Sequence, residues 1–197
     1  MLSGAKHLEF YLQPMVQKRS EILRVAENDT RRLLILFQIL HRSPGQCQIR
    51  SKYVHTNLIA RDWKRLVRFY FEVFGCEPEG PERDMSGAWL DELTSLRDAH
   101  FTGVHLRLPG YGDDGPTLEI FSYDRLIESE LPEANRCGFG HVAFAVDDVD
   151  EALEAVIAAG GGAVGNIETT KAEGVGTLRV VYSRDPEGNI VELQKWS

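Results

Sequence analysis

The sequence predicts an α+β fold built from two βαβββ modules, forming a curved mixed sheet around a cleft, and three observations carry that expectation. First, Tyr53–Gly75 and Phe139–Gly161 repeat one pattern. Each begins with a short alternating apolar run holding a histidine near its start, passes an aspartate, and continues as an apolar stripe at helical spacing. With His55 laid on His141 the copies align without a gap, Asp62 on Asp148, Leu66 on Ala152, Tyr70 on Val156 and Phe71 on Ile157, which marks an internal duplication. Second, each copy is followed by further alternating runs separated by turn-rich stretches, so each module is strand, helix, strand, strand, strand. Third, each module ends in a strand with a glutamate inside an apolar run, TLEIF and IVEL. A four-stranded sheet covered by one helix leaves its other face open, and two such faces brought together enclose a cleft.

Taken in order, the chain first shows a change of composition. Residues 1–50 hold eight Lys and Arg against four Asp and Glu, a balance of +4; the totals of 22 and 30 leave 14 and 26, or −12, for the rest. This basic N-terminal extension carries a candidate helix over Ser20–His41, punctuated by Pro14 and Ser43-Pro44-Gly45. Three readings of it stand open: a non-catalytic extension packed on the core, a basic amphipathic targeting or membrane-surface segment, or translation from a start codon upstream of the true one. Residues 51–197 form the second domain, made of modules 52–124 and 138–196. In the first, Tyr53–Ala60 is a strand, and Asp62 caps a helix whose inward face is Trp63, Leu66, Val67, Tyr70, Val73 and Phe74, ended by Gly75. Pro78, Gly80 and Pro81 predict a loop, and Ala88–Leu96 a short helical turn without a counterpart in the second module. Phe101–Leu108 and Thr117–Tyr123 are strands joined by PGYGDDGP. In the second module, Phe139–Val146 is a strand, and Asp148 with Glu151 forms a capping box over a helix buried through Val149, Ala152, Leu153, Val156 and Ile157. Ala163–Glu168, Gly176–Ser183 and Asn189–Trp196 supply three more strands, the last two joined by Asp185-Pro186-Glu187-Gly188.

Composition excludes several classes. A net charge of −8 argues against nucleic-acid binding. No apolar run reaches the roughly eighteen residues of a bilayer span. Three scattered cysteines, Cys47, Cys76 and Cys137, with no CxxC, are the usage of a reducing, cytoplasmic compartment. The expected partner is a small-molecule substrate, with no nucleic acid and no membrane.

The chemistry follows from the repeat. His55 and His141 occupy equivalent strand positions, and Glu119 and Glu192 occupy matching positions in the closing strands. An ionised carboxylate in an apolar run is costly unless paired or bound to a cation. Two imidazoles and two carboxylates facing one cleft make an N2O2 site suited to one divalent ion, Zn, Ni, Co, Mn or Fe. Strand alternation puts Asn57, Ile59, Phe121, Tyr123 and Ala143 on the same face, giving a fairly apolar pocket. His105 and Arg107 alternate on one strand face and are either solvated or at the pocket edge.

HTNLIARDWKRLVRFY, PTLEIFSY, GFGHVAFAVDDVDEAL and SRDPEGNIVELQKW resemble the four signature segments of the vicinal oxygen chelate superfamily, which holds glyoxalase I, epimerases, extradiol dioxygenases and bleomycin resistance proteins. The resemblance covers residues 52–196. It implies metal ligands at His55, Glu119, His141 and Glu192, in the order seen in glyoxalase I. It further implies a metal-dependent lyase or isomerase acting on a small carbonyl substrate through a metal-bound enediolate, with Glu192 as first-choice base and Glu119 as second. Where glyoxalase I holds glutathione with an arginine and an asparagine, this chain has Ile59 and Tyr123, so another carbonyl or enolisable substrate is implied at least as strongly. Asn57 and Phe121 complete the expected substrate contacts. The other members offer a ligand-sequestering binding protein, an extradiol dioxygenase or an epimerase as alternatives. By analogy with the superfamily the chain is expected to be a homodimer.

Overall fold

The duplicated pattern folds twice, as the alignment predicts. In the computed structural model, which describes residues 50–197, the first module runs β1 (His55–Ile59), α1 (Trp63–Phe74), β2 (Glu77–Ser86), α2 (Ala88–Thr94), β3 (His100–Arg107) and β4 (Thr117–Tyr123). The second runs β5 (Val142–Ala145), α3 (Val149–Ala158), β6 (Gly162–Ala163), β7 (Glu168–Ala172), β8 (Gly176–Arg184) and β9 (Ile190–Trp196). The helix expected over Ser20–His41 lies outside the described residues. Lys52–Ser197 forms a unit of its own.

Both long helices start as their caps dictate. The Asp62 carboxylate accepts from Arg65 N at 3.0 Å, and the Asp148 carboxylate accepts from Asp150 N and Glu151 N at 2.9 and 3.1 Å. Each satisfies backbone donors that the first turn leaves unpaired. Gly75, at φ 68°, ends α1 in the left-handed region, where glycine has no Cβ to clash. The inner face of α1 is Leu66, Phe69 and Tyr70; α3 buries Val149 and Val156. Ile157, expected inside, is 51% exposed, as is its aligned counterpart Phe71. Each lies one step, about 100°, round its helix from the buried Val156 or Tyr70.

The first sheet has strand order β1-β4-β3-β2, with β1 parallel to β4 and the other pairs antiparallel. The second is β5-β9-β8-β6, with β5 parallel to β9 and β7 also paired to β8. Among the described residues no ladder joins the two sheets, so the curved surface expected from the sequence is present as two open sheets with free edges at β1 and β5. Two elements differ from expectation. The Pro78–Pro81 stretch is not a loop but part of β2. An edge strand pairs on one side only, and the register shift between Glu79 and Arg83 is a bulge that accommodates Gly80 and Pro81. The expected strand Ala163–Glu168 is instead the two-residue β6 and a separate β7.

The modules share one core. Leu58, Leu66, Tyr70, Leu118, Val156 and Leu193 belong to a single buried cluster, and Phe74 of α1 stacks on Phe144 of β5 at 4.1 Å between ring centroids. The turn Asp185–Gly188 closes the joint. Buried Asp185 accepts from Tyr70 Oη at 3.1 Å, from Asn189 Nδ2 at 2.8 Å, and from the Glu187 and Asn189 amides at 2.9 Å each. Burial pushes both the Tyr70 phenol and the Asp185 carboxyl above their ordinary values. Glu187 accepts from Asp62 N and from Arg61, which also bonds Glu128 of the intermodule segment and holds that carboxyl below its usual range. The Cys76 thiol is buried and pushed up to about 12.

A second, smaller cluster sits on the opposite face of the first sheet. Leu90 of α2 packs on Ala99, Phe101 and Phe121, with Met85 and Tyr123 beside them. Gly103 permits that packing. A Cβ there would lie 2.1 Å from the Ile120 carbonyl oxygen and 2.4 Å from the Phe121 ring.

Candidate metal centre

Parallel pairing of the first and last strand of each module decides where the histidines and glutamates meet. In the first module Asn57 faces Glu119 across β1 and β4, so His55, two residues earlier, shares its face. In the second, Ala143 faces Glu192 across β5 and β9, and His141 again lies two residues earlier. The offset is identical. His55 Nε2 lies 3.3 Å from Glu119 Oε2, and His141 Nε2 lies 3.2 Å from Glu192 Oε2. Both glutamate side chains are 14% exposed, while the histidines are 42% and 36% exposed. Among the described residues no lysine or arginine pairs with either glutamate, so in each module the carboxylate faces imidazole rather than a fixed cation.

Two further residues lie at this face: His105, which the sequence left as either solvated or at the pocket edge, and Tyr182, which sequence reasoning missed. His105, on β3 directly opposite Glu119, places Nε2 3.0 Å from Glu119 Oε1. Tyr182, on β8 directly opposite Glu192, lies with its ring 5.1 Å from that of His141. Its phenol is raised first by burial and then by the Glu192 carboxylate. The two are register equivalents. Their signal was strand alternation, but which residue faces the glutamate depends on loop length, which alternation does not supply.

The expected substrate residues divide. Asn57 donates Nδ2 to Glu119 Oε2 at 3.3 Å. Ile59 is 45% exposed at the end of β1. Phe121 is only 8% exposed, stacked on Phe101 at 4.4 Å. Tyr123 is partly buried against the same cluster. Beside His141 lies a groove of ≈ 730 Å³, bordered by Tyr53, Tyr111, Phe139 and β5.

Each pair offers an imidazole nitrogen and a carboxylate oxygen on one open face, a donor set that fits a borderline divalent ion. Within one chain the four donors stay in two pairs. Among the described residues no three His, Cys, Asp or Glu side chains form a metal-holding group.

Two βαβββ modules, in each of which parallel strand pairing brings a histidine beside a glutamate, define an α+β fold of two related halves. The chain belongs to the Glyoxalase/Bleomycin resistance protein/Dioxygenase superfamily, whose family model matches residues 52–193. It is 28% identical over 145 residues to a protein of Vibrio parahaemolyticus named "Probable lactoylglutathione lyase", covering 73% of this chain and 89% of that one. A protein of the same name from Vibrio cholerae is 28% identical over 144 residues, covering 72% and 88%. Among solved structures, a glyoxalase family protein from Bacillus cereus superposes with a TM-score of 0.63 at 20% identity, over 79% of this chain and 99% of that one, a likeness of fold. Glyoxalase I from Zea mays superposes with a TM-score of 0.51 at 25% identity, over 73% of this chain and 44% of its own length. Among the described residues no helix is long and apolar enough to cross a membrane.

Proposed function

We propose that the chain is a metal-dependent lyase or isomerase of the glyoxalase I type, acting on a small carbonyl compound. The observation that carries this reading is the His–Glu pair, made twice at one register offset. The likeness to two proteins named "Probable lactoylglutathione lyase" supports it. We further propose that His55 and Glu119 of one copy join His141 and Glu192 of a second. Both pairs lie on open faces, and β1 and β5 each keep a free edge. A two-fold dimer would complete two such sites at once.

A divalent ion held by these four side chains would supply positive charge beside oxygens on two neighbouring substrate carbons and acidify the C–H of the carbon next to the carbonyl. Glu192 removes that proton and returns it to the neighbouring carbon while the hydroxyl proton passes to the former carbonyl oxygen, so hydroxyl and carbonyl exchange places and the net change is an isomerisation. Glu192 suits the task better than Glu119, because Asn57 and His105 as well as His55 engage Glu119. Ile59 and Tyr123 bring no charge for a tripeptide thiol, which favours a less charged substrate.

The test is an isomerisation assay on full-length protein loaded with Zn, Ni, Co or Mn. Methylglyoxal hemithioacetals of glutathione and of a small uncharged thiol serve as substrates. The expected result is turnover that falls about 10²- to 10⁴-fold in Glu192→Gln. Absence of turnover with every thiol, in a protein that also takes up none of the four metals, would overturn the proposal.

A further inference from the structure

We infer that His105 is a positioning residue that sorts the two oxygens of Glu119, holding one so that only the other is turned toward His55. This rests on the metal-site reading of His55 and Glu119 given above.

Three nitrogens surround one carboxylate. His105 Nε2 lies 3.0 Å from Oε1. His55 Nε2 and Asn57 Nδ2 each lie 3.3 Å from Oε2. β4 runs between β1 and β3, so His55 and His105 approach Glu119 from its two sides, their ring centroids 6.3 Å apart and the planes at 70°. With His105 against Oε1 and His55 against Oε2, a cation on the His55 side meets a single carboxylate oxygen. Ligating carboxylates depend on such outer hydrogen bonds for their orientation.

His105 is itself held in place. Its side chain is 25% exposed, against 42% for His55, and its ring lies 5.9 Å from that of Phe121, which stacks on Phe101 beneath α2. In the second module a phenol replaces the imidazole: Tyr182 stands at the equivalent position beside Glu192, and Ala143 takes the place of Asn57. The imidazole is therefore particular to the first module. Its nitrogen lies on Oε1, whereas that of His55 lies on Oε2, which sets its role apart from that of a ligand.

Cobalt(II) titration of full-length wild type, His105→Phe and His105→Gln, followed by calorimetry and visible absorption, tests the inference. His105→Phe is expected to bind cobalt about 10- to 100-fold more weakly at unchanged stoichiometry and with an unchanged spectrum. His105→Gln, whose amide still donates to Oε1, restores most of the affinity. Wild-type affinity in His105→Phe overturns the inference. So does an altered cobalt spectrum in both variants, which would make His105 a ligand. If the wild type binds no cobalt the metal reading fails instead, and imidazole ¹⁵N spectra of the metal-free protein decide. The His105 Nε2 resonance is expected to shift in Glu119→Ala; an unmoved resonance rejects the contact.

Discussion

The two modules repeat the same histidine and glutamate at the same register and differ in nearly everything around them. In the first, Glu119 is engaged by His55, Asn57 and His105, and α2 lies over the same face. In the second, Glu192 has His141 and the neighbouring Tyr182, with Ala143 opposite and no helix inserted before β8. The clamp between modules is equally one-sided. The β8–β9 turn grips α1 through Asp185 and Glu187, whereas the β3–β4 loop carries Asp113 and Asp114 at the surface. The difference teaches that parallel pairing of β1 with β4 and β5 with β9 is enough to preserve a donor pair. Elements outside that pairing were free to take on stability in one module and confinement of a carboxylate in the other.

The largest expected effect breaks the symmetry of the two glutamates. Glu192→Gln should lower kcat by about 10²- to 10⁴-fold at saturating metal, as loss of a general base does. Glu119→Gln should chiefly weaken metal affinity, with kcat recovering as metal is added. Equal kcat losses in the two variants would remove the division of labour.

A stability effect of intermediate size concerns the clamp. Tyr70→Phe leaves buried Asp185 without one donor and should cost about 1 to 3 kcal/mol in denaturant unfolding. Its aligned partner Val156 makes no polar contact, so Val156→Ala should act only through lost packing. A neutral Tyr70→Phe would show that the turn does not join the modules.

The smallest effect is a pH dependence confined to the first module. His100 places Nε2 2.8 Å from Asp84 and Nδ1 2.9 Å from Asp124, and these carboxylates raise its pKa above 6.5. A histidine raised on folding stabilises fully below its unfolded pKa and loses that contribution as pH rises through the folded value. The melting temperature of wild type should therefore exceed that of His100→Gln by more at about pH 6 than at about pH 9. A constant difference would contradict the pairing.

Much of this was legible in the sequence because it is local. Asp62 and Asp148 announced both helix starts, and the duplication alone matched His55 with His141 and Glu119 with Glu192. What could not be read depends on non-local register. His105 and Tyr182 face the glutamates only because PGYGDDGP and the Asp185 turn close their hairpins at particular lengths. Pro78 and Pro81 resemble a loop until β2 is known to be an edge strand. Ile157 was expected inside and is exposed, and the buried Phe69 was not among the residues expected inside, because helical spacing gives a stripe but not its exact rotation against the sheet. The separation of the four donors into two pairs was also invisible, since a pattern of equivalent positions does not say which copies meet.

That separation is tested most directly by co-expressing His55→Ala and His141→Ala chains under different tags and measuring metal in protein that carries both. Each variant alone should bind none. If module one of one copy completes module two of the other, every mixed dimer regains one intact site of its two, so unselected random mixtures recover roughly a quarter of wild-type metal. Mixed dimers that form but remain metal-free would contradict a site shared between two chains.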